Sequence, residues 1–314
     1  MKQKTVLKML SLVIAELRSN GQWGTAHIYQ SAHNSFSLFN NGKDIAFSEL
    51  TPALMKSYEI FLRNRGNSWN TVATYMKVLK SLYNRALEAG DAPHIPRLFD
   101  HVRTTACSEC KKALEISDMR SVLQNGTEVC SSGSLLYNKE EVSALFTLMF
   151  LLRGIPFVDL AYLKKSDIRG NTLYYRRRKT GRPMVVELVP EAQDIIAILG
   201  DKRPDYPYLL PILNSPEGTE AAYREYQSAL RKFNRRLSLL AESTLQNVPL
   251  STYSARHSWA TLAYHCEIHP GIISEAMGHS SITVTETYLK PFRNEKINAA
   301  NLQLIAFIKG NKLP

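Results

Sequence analysis

Acidic residues are in short supply: 28 Asp and Glu stand against 39 Lys and Arg in 314 residues, a net charge of +11. Such a surplus excludes little by itself, but it points to a polyanionic partner, nucleic acid before an acidic membrane surface. Cysteine is scarce too, and four thiols (Cys107, Cys110, Cys130, Cys266) cannot frame a chain of this length with disulfides. Lys2, Lys4 and Lys8 precede the apolar stretch Met9–Ala15, but Glu16 and Arg18 follow with no small-residue cleavage site, which argues against a secretory leader. The longest apolar run, Ala144–Leu163, is interrupted by Arg153, Gly154, Pro156 and Asp159, which excludes a cheap bilayer span. Nucleotide-binding motifs, metal-binding motifs and internal repeats are missing. These absences predict a cytoplasmic protein without a membrane partner.

What remains is a globular composition, 44% hydrophobic and 21% charged, long enough for two domains that each bury a core. The positive charge is spread over both: residues 1–110 carry a net +5 and the remainder +6, as expected if both halves touch one extended anion.

Up to residue 92 the pattern is helical. Thr25–Phe39 places Ile28, Ala32, Phe36 and Phe39 on one face, and Thr51–Arg63 does the same with Leu54, Tyr58, Phe61 and Leu62 behind the N-cap Thr51 and Pro52. Asn70–Glu88 repeats it with Val72, Tyr75, Met76, Leu79, Leu82, Tyr83 and Leu87, and Gly90 follows as a C′ residue. Residues 93–111, with Pro93, Pro96 and little periodicity, read as a linker. Cys107 and Cys110 form a CxxC there near His101. A second ligand pair is missing, so they read as unpaired linker thiols and not as a zinc site. Residues 112–314 form a second domain, opening with an apolar helix over Asn138–Leu152. Strands over Leu173–Arg178 and Met184–Leu188 are joined across Lys179-Thr-Gly-Arg-Pro183. Helices follow over Ala222–Leu240, Thr252–His265, Pro270–Met277, Thr283–Tyr288 and Glu295–Ile308.

The informative segment lies between Thr252 and Lys290. Tyr253 and Arg256 are three apart on a helix and share a face. Twenty-one residues after Arg256 comes Met277-Gly-His279, and Tyr288 lies nine residues after His279. Gly278 ends one helix, Thr283 with Glu286 suggests a capping box for the next, and His279 is thereby held in a tight turn.

Here the sequence resembles the tyrosine recombinases, or phage integrase family. The matching stretches are Ala255-Arg-His-Ser-Trp-Ala-Thr261, Met277-Gly-His-Ser-Ser-Ile282 with Tyr288, Lys179-Thr-Gly181 and Asp159-Leu-Ala-Tyr-Leu-Lys-Lys-Ser-Asp167. The resemblance implies a mainly α fold with a small β-sheet: a helical core-binding (SAM-like) domain followed by a tyrosine recombinase catalytic domain. It implies cutting and rejoining of double-stranded DNA at inverted-repeat core sites through a 3′-phosphotyrosine, with no cofactor and no metal, and a tetramer on DNA linked through the apolar C-terminal helix.

Roles follow on the matching positions. Tyr288 would be the nucleophile and Lys179 the general acid for the leaving 5′ oxygen, or else a solvated turn lysine. Arg256 and Arg153 would bind the phosphate oxygens through their planar forks; a structural ion pair between Arg153 and Asp159 is the other use of that charge. His279 would hydrogen-bond the phosphate, shuttle a proton or cap a helix. Arg176–Arg178 would at most position a phosphate, and Asp159 would support the arginines. Two positions depart from the family. Tyr253 stands where a His or Lys is usual, and a phenol that ordinarily titrates near 10 makes a poor general base at neutral pH. Pro156 stands where the first arginine is usual, with Arg153 one turn earlier. These departures leave open a DNA-binding protein that has lost catalysis, and a type IB topoisomerase shares the chemistry. A first domain starting near Met1 suggests a simple recombinase, such as an invertase or resolvase, with mobile-element integration or excision as the other outcome.

Overall fold

The computed structural model describes residues 4–105, 113–127, 138–244, 248–289, 292 and 294–309. The chain divides into two compact units, one made by the N-terminal part together with Gly218–Tyr223, the other by the chain up to Glu217 and from Arg224 onward.

The first unit is helical: α1 (Val6–Ser19), α2 (Trp23–Phe39), α3 (Pro52–Asn64) and α4 (Trp69–Glu88). Thr51 and Ser68 start α3 and α4 by accepting from the Leu54 and Thr71 amides, which satisfies donors that the first turn leaves free. Leu10, Phe36, Met55, Tyr58, Leu62, Met76 and Leu82 fill the core between them. Ile28, expected on the apolar face of α2, is 42% exposed, and Ala26, Ala32 and Phe36 are the residues α2 buries. Part of the segment read as a linker belongs to this core: Leu98, Phe99 and Val102 are buried in it, and the buried Glu59 accepts from the Arg103 amide at 2.7 Å. Cys107 and Cys110 lie outside the described residues.

The second unit is built around α6 (Lys139–Leu151). Every residue from Glu141 to Met149 is buried, because α5 (Ile116–Thr127), α8 (Pro190–Leu199) and α10 (Thr252–His265) all pack against it. Asn138 caps α6 by accepting from the Glu141 amide at 2.8 Å. After the short α7 (Phe157–Ala161) comes a three-stranded antiparallel sheet, one strand more than the two expected: β1 (Ile168–Arg169), β2 (Thr172–Arg176) and β3 (Pro183–Glu187), in that order. Its register pairs Leu173 with Val186 and Tyr175 with Met184. Then come α9 (Glu220–Thr244), α11 (Pro270–Ala276), α12 (Ile282–Glu286) and α13 (Asn294–Ile308). Ser281, not Thr283, precedes α12, and Tyr288 sits in the turn after it. Among the described residues no helix is long and apolar enough to cross a membrane.

Candidate active site

Helix α10 carries an unusual line of buried polar groups: Thr252, Ser254, Arg256, Ser258 and Thr261. A cation buried to 3% exposure must find partners or it would be too costly to keep. Arg256 Nη1 donates to Gly154 O at 2.8 Å, and Nη2 lies 2.6 Å from Met277 O and 2.8 Å from His279 Nε2. The first contact depends on a close backbone approach. Gly154 ends α6 with φ +66°, and a Cβ there would lie 2.8 Å from Arg256 Cα.

A second guanidinium arrives from the hairpin. Arg177, 6% exposed, pairs through Nε with Asp159 Oδ2 at 2.7 Å and donates through Nη1 to Met277 O, the carbonyl that Arg256 also uses. Asp159 is itself buried and accepts from the Arg178 amide at 2.8 Å, so one carboxylate fixes both the strand end and the arginine. Arg182 Nη1 donates to His279 O at 2.6 Å. Gly278, at φ +66°, lets the turn approach the sheet, because a Cβ there would fall 2.7 Å from Met184 Sδ. The hairpin and α10 are thus latched onto the single turn Met277–His279.

Electrostatics follow from this crowding. Burial, then the charge of Arg177, presses Arg256 below its ordinary value. Burial raises Asp159 against the pull of its arginines. His279, 5% exposed, is pushed down to about 3 by burial and by Arg256, Arg177, Lys179 and Arg182, so it is neutral at physiological pH. A cluster of cations with one compensating carboxylate is a site for an anion with several oxygens.

Tyr288 borders this cluster. Its ring stacks on His279 (centroids 4.9 Å apart, planes 23°), lies 4.7 Å from His257, and has Arg256 Cζ 5.5 Å from its centroid. The backbone is pinned on both sides, with Tyr288 N donating to Thr285 O at 2.8 Å and Tyr288 O accepting from Thr261 Oγ1 at 3.0 Å.

Of the residues singled out in the sequence, Arg256, His279 and Tyr288 are therefore in mutual contact. Lys179 is exposed at the hairpin tip, within electrostatic reach of His279. Tyr253 is 55% exposed, its ring 6.2 Å from that of His257, and its phenol is raised by desolvation and by Tyr288. Arg153 points elsewhere: at φ +58° it donates to Val185 O on β3 at 3.2 Å, and the carboxylate expected to pair with it is occupied by Arg177. In the sequence Arg177 reads as part of the basic strip Arg176–Arg178. The two-residue alternation Leu173, Tyr175, Arg177 was the available signal, since it turns Arg177 to the same side as the buried Leu173. Thr285, fully buried and 2.8 Å from His279 Nδ1, gave no such signal.

Residues 5–97 match the family model of the phage integrase SAM-like domain. No curated protein matches the chain in sequence. Among solved structures, the Tn1549 transposon integrase in complex with transposon right end DNA is 15% identical, with 96% of this chain and 100% of that one covered and a TM-score of 0.63. A lambda integrase dimer bound to a COC′ core site is 17% identical, with 91% and 95% covered and a TM-score of 0.60. A lambda integrase tetramer bound to a Holliday junction is 18% identical, with 92% and 78% covered and a TM-score of 0.59. The fold is that of the tyrosine recombinases.

Proposed function

We propose that the chain is a site-specific DNA recombinase that cuts and rejoins duplex DNA through a covalent 3′-phosphotyrosine on Tyr288. The observation that carries this is the convergence of two buried guanidiniums, Arg256 and Arg177, on one carbonyl beside the ring of Tyr288. Two like charges held together at a cost are relieved by an anion, and a phosphodiester approaching its transition state gathers negative charge on its non-bridging oxygens. Tyr288 then displaces the 5′ oxygen, and Lys179 at the hairpin tip supplies that oxygen with a proton. Arg153 and Tyr253 would lie at the rim of the bound phosphate, as secondary contacts. The covalent link conserves the energy of the broken bond, so rejoining to a second duplex needs no nucleotide.

The dimer and tetramer states of the lambda integrase support assembly on inverted-repeat DNA. Here α13 exposes Ile297, Leu302, Leu304 and Ile308, a face suited to docking on a neighbouring copy in a tetramer. The outcome we propose is inversion, resolution or mobile-element integration and excision, in the cytoplasm where the DNA lies.

Tyr253, in place of the usual His or Lys, favours one second reading: a protein that binds DNA without cutting it. Incubation with a nicked duplex site separates the two. The recombinase yields an SDS-stable protein–DNA adduct that disappears in Tyr288→Phe. Absence of an adduct with the native protein, or its persistence in Tyr288→Phe, overturns the assignment. Recombination between two sites distinguishes the enzyme from a type IB topoisomerase.

A further inference from the structure

Lys179, the proton donor of the proposed reaction, stands exposed on the hairpin turn and has no carboxylate partner among the described residues. Its place must therefore come from the residues on either side of it. On the far side Arg182 Nη1 donates to His279 O at 2.6 Å. On the near side Arg178 is held twice, its amide donating to Asp159 Oδ1 at 2.8 Å and its guanidinium pairing with Glu217. That guanidinium also lies over the Tyr162 ring, with Cζ 3.8 Å from the centroid. Asp159 is shared with Arg177, whereas Glu217 gives one oxygen to Arg178 and the other to Lys164 Nζ at 2.8 Å. The frame behind Glu217 is fixed as well. Lys164 N donates to Asp167 Oδ2 at 2.8 Å, and Tyr208 Oη donates to Ser215 O at 2.9 Å. Glu225 accepts from the Asn214 and Ser215 amides at 2.6 and 3.0 Å, which ties down the loop leading to Glu217. Burial opposes the charge of Glu217, but Lys164 and Arg178 outweigh it and hold the carboxyl below its ordinary value, so it is anionic at neutral pH.

Resting on the recombinase reading, we infer that Glu217 is a positioning residue for the proton transfer: through Arg178 it sets where Lys179 stands when the 5′ oxygen leaves. Glu217 itself exchanges no proton. When the P–O5′ bond breaks, its electron pair goes to O5′, and that oxygen takes a proton from Lys179 Nζ. The neutral lysine takes a proton back from the incoming 5′ hydroxyl when the strand is rejoined. Lysine has a long side chain with many rotamers, so an acid whose backbone also drifts spends less time within reach of that oxygen. The Arg178 and Glu217 side chains are 34% and 38% exposed, so their pairing contributes little to overall stability. Its use is geometric, in fixing the residue that precedes the acid.

The test measures adduct formation by the full chain on a nicked duplex selected from a random-sequence pool by the Tyr288→Phe protein. The scissile phosphate carries either oxygen or sulfur at the 5′-bridging position. On oxygen, Lys179→Ala should be about a hundredfold slow. Glu217→Gln and Arg178→Gln should each be about fivefold slow, the scale of one exposed ion pair. The double variant should be no slower than the slower single one, because both changes break the same link. Sulfur leaves without needing a proton, so it should bring all of these variants close to the native rate. Arg177→Ala, which strikes the phosphate itself, should stay slow on both substrates. A native rate for Glu217→Gln on oxygen overturns the inference. So does an equal defect on oxygen and sulfur, which would make Glu217 a merely structural residue. A Lys179→Ala defect that sulfur leaves in place removes the proton donor, and the inference with it. A native protein that forms no adduct on either substrate overturns the recombinase reading itself, a result distinct from these.

Discussion

Asp159 is paired with Arg177, Oδ2 to Nε at 2.7 Å, on side chains that are 1% and 7% exposed. On the proposed recombinase reading, the pairing decides which arginine joins Arg256 at the phosphate. Arg177 shares the Met277 carbonyl with Arg256, whereas Arg153 is committed to Val185 O on the edge of the sheet. Arg177→Ala should therefore lower the rate of covalent adduct formation by about a thousandfold, the scale expected when a preorganised transition-state donor is lost. Arg153→Ala should lower it by less than about tenfold. Equal losses in the two variants would contradict the assignment.

The same pair makes a stability prediction. Removing one partner of a buried ion pair leaves the other uncompensated, so Asp159→Asn should cost about 3 kcal/mol in urea unfolding at neutral pH. An exposed pair such as Arg97–Asp100, broken in the same way, should cost well under about 1 kcal/mol.

Gly154 and Gly278 both sit at φ +66°, but their neighbours differ. A Cβ on Gly154 meets the Arg256 main chain at 2.8 Å, which can yield only if α10 shifts. On Gly278 it meets Met184 Sδ at 2.7 Å, the far end of a flexible side chain, and Arg177 Cγ at 3.1 Å. Both alanine variants carry the left-handed backbone penalty of about 1 kcal/mol. Gly154→Ala should lose distinctly more stability in thermal melting and should also displace Arg256, with loss of adduct formation. Gly278→Ala should melt nearer the native protein.

These contacts also mark what could be read from the sequence. Helix α3 follows from apolar spacing and its cap Thr51, and α4 from apolar spacing, because those signals are local. The turn at Gly278 and His279 was legible for the same reason. Arg177 was half legible: the alternation continued from β2 turns it inward, but the role proposed for it depends on Asp159 and Met277, which no local pattern brings near. The role of Gly154 was hidden, since the close approach is to a residue 102 positions away. Ile28 was misplaced: near the start of α2 the buried residue is Ala26, whereas Ala32 and Phe36 are buried as their spacing implies.

The charge state of His279 has a measurable consequence. Its value in the folded protein is about 3 against an ordinary 6.5, so between these two pH values the unfolded chain takes up a proton that the folded one refuses. Stability linked to this group is complete above about pH 6.5 and falls as pH drops toward 3. At pH 4 the loss should be about 3 kcal/mol. His279→Gln removes the linkage, so the difference in unfolding free energy between native and variant should shrink by that amount from pH 7 to pH 4. A difference independent of pH would mean that His279 titrates normally.

Most of the positive charge lies outside the active site, and α4 shows what it can do. Lys77, Lys80, Ser81, Asn84, Arg85 and Glu88 line one open cavity of about 580 Å³ on the solvent face of this 20-residue helix, opposite the side that buries Val72, Met76, Leu79 and Leu82. Arg85 is partly spent on Glu16, whereas Lys77 and Lys80 have no carboxylate partner within ion-pair distance among the described residues. If these two lysines each neutralise one DNA phosphate, then each releases a counterion. Lys77→Ala and Lys80→Ala should then reduce the slope of log binding constant against log salt by about one unit apiece. The loss should be similar on specific and unrelated duplexes, because a phosphate contact carries no base information. A slope that does not change in either variant would place the DNA on another face of the first unit.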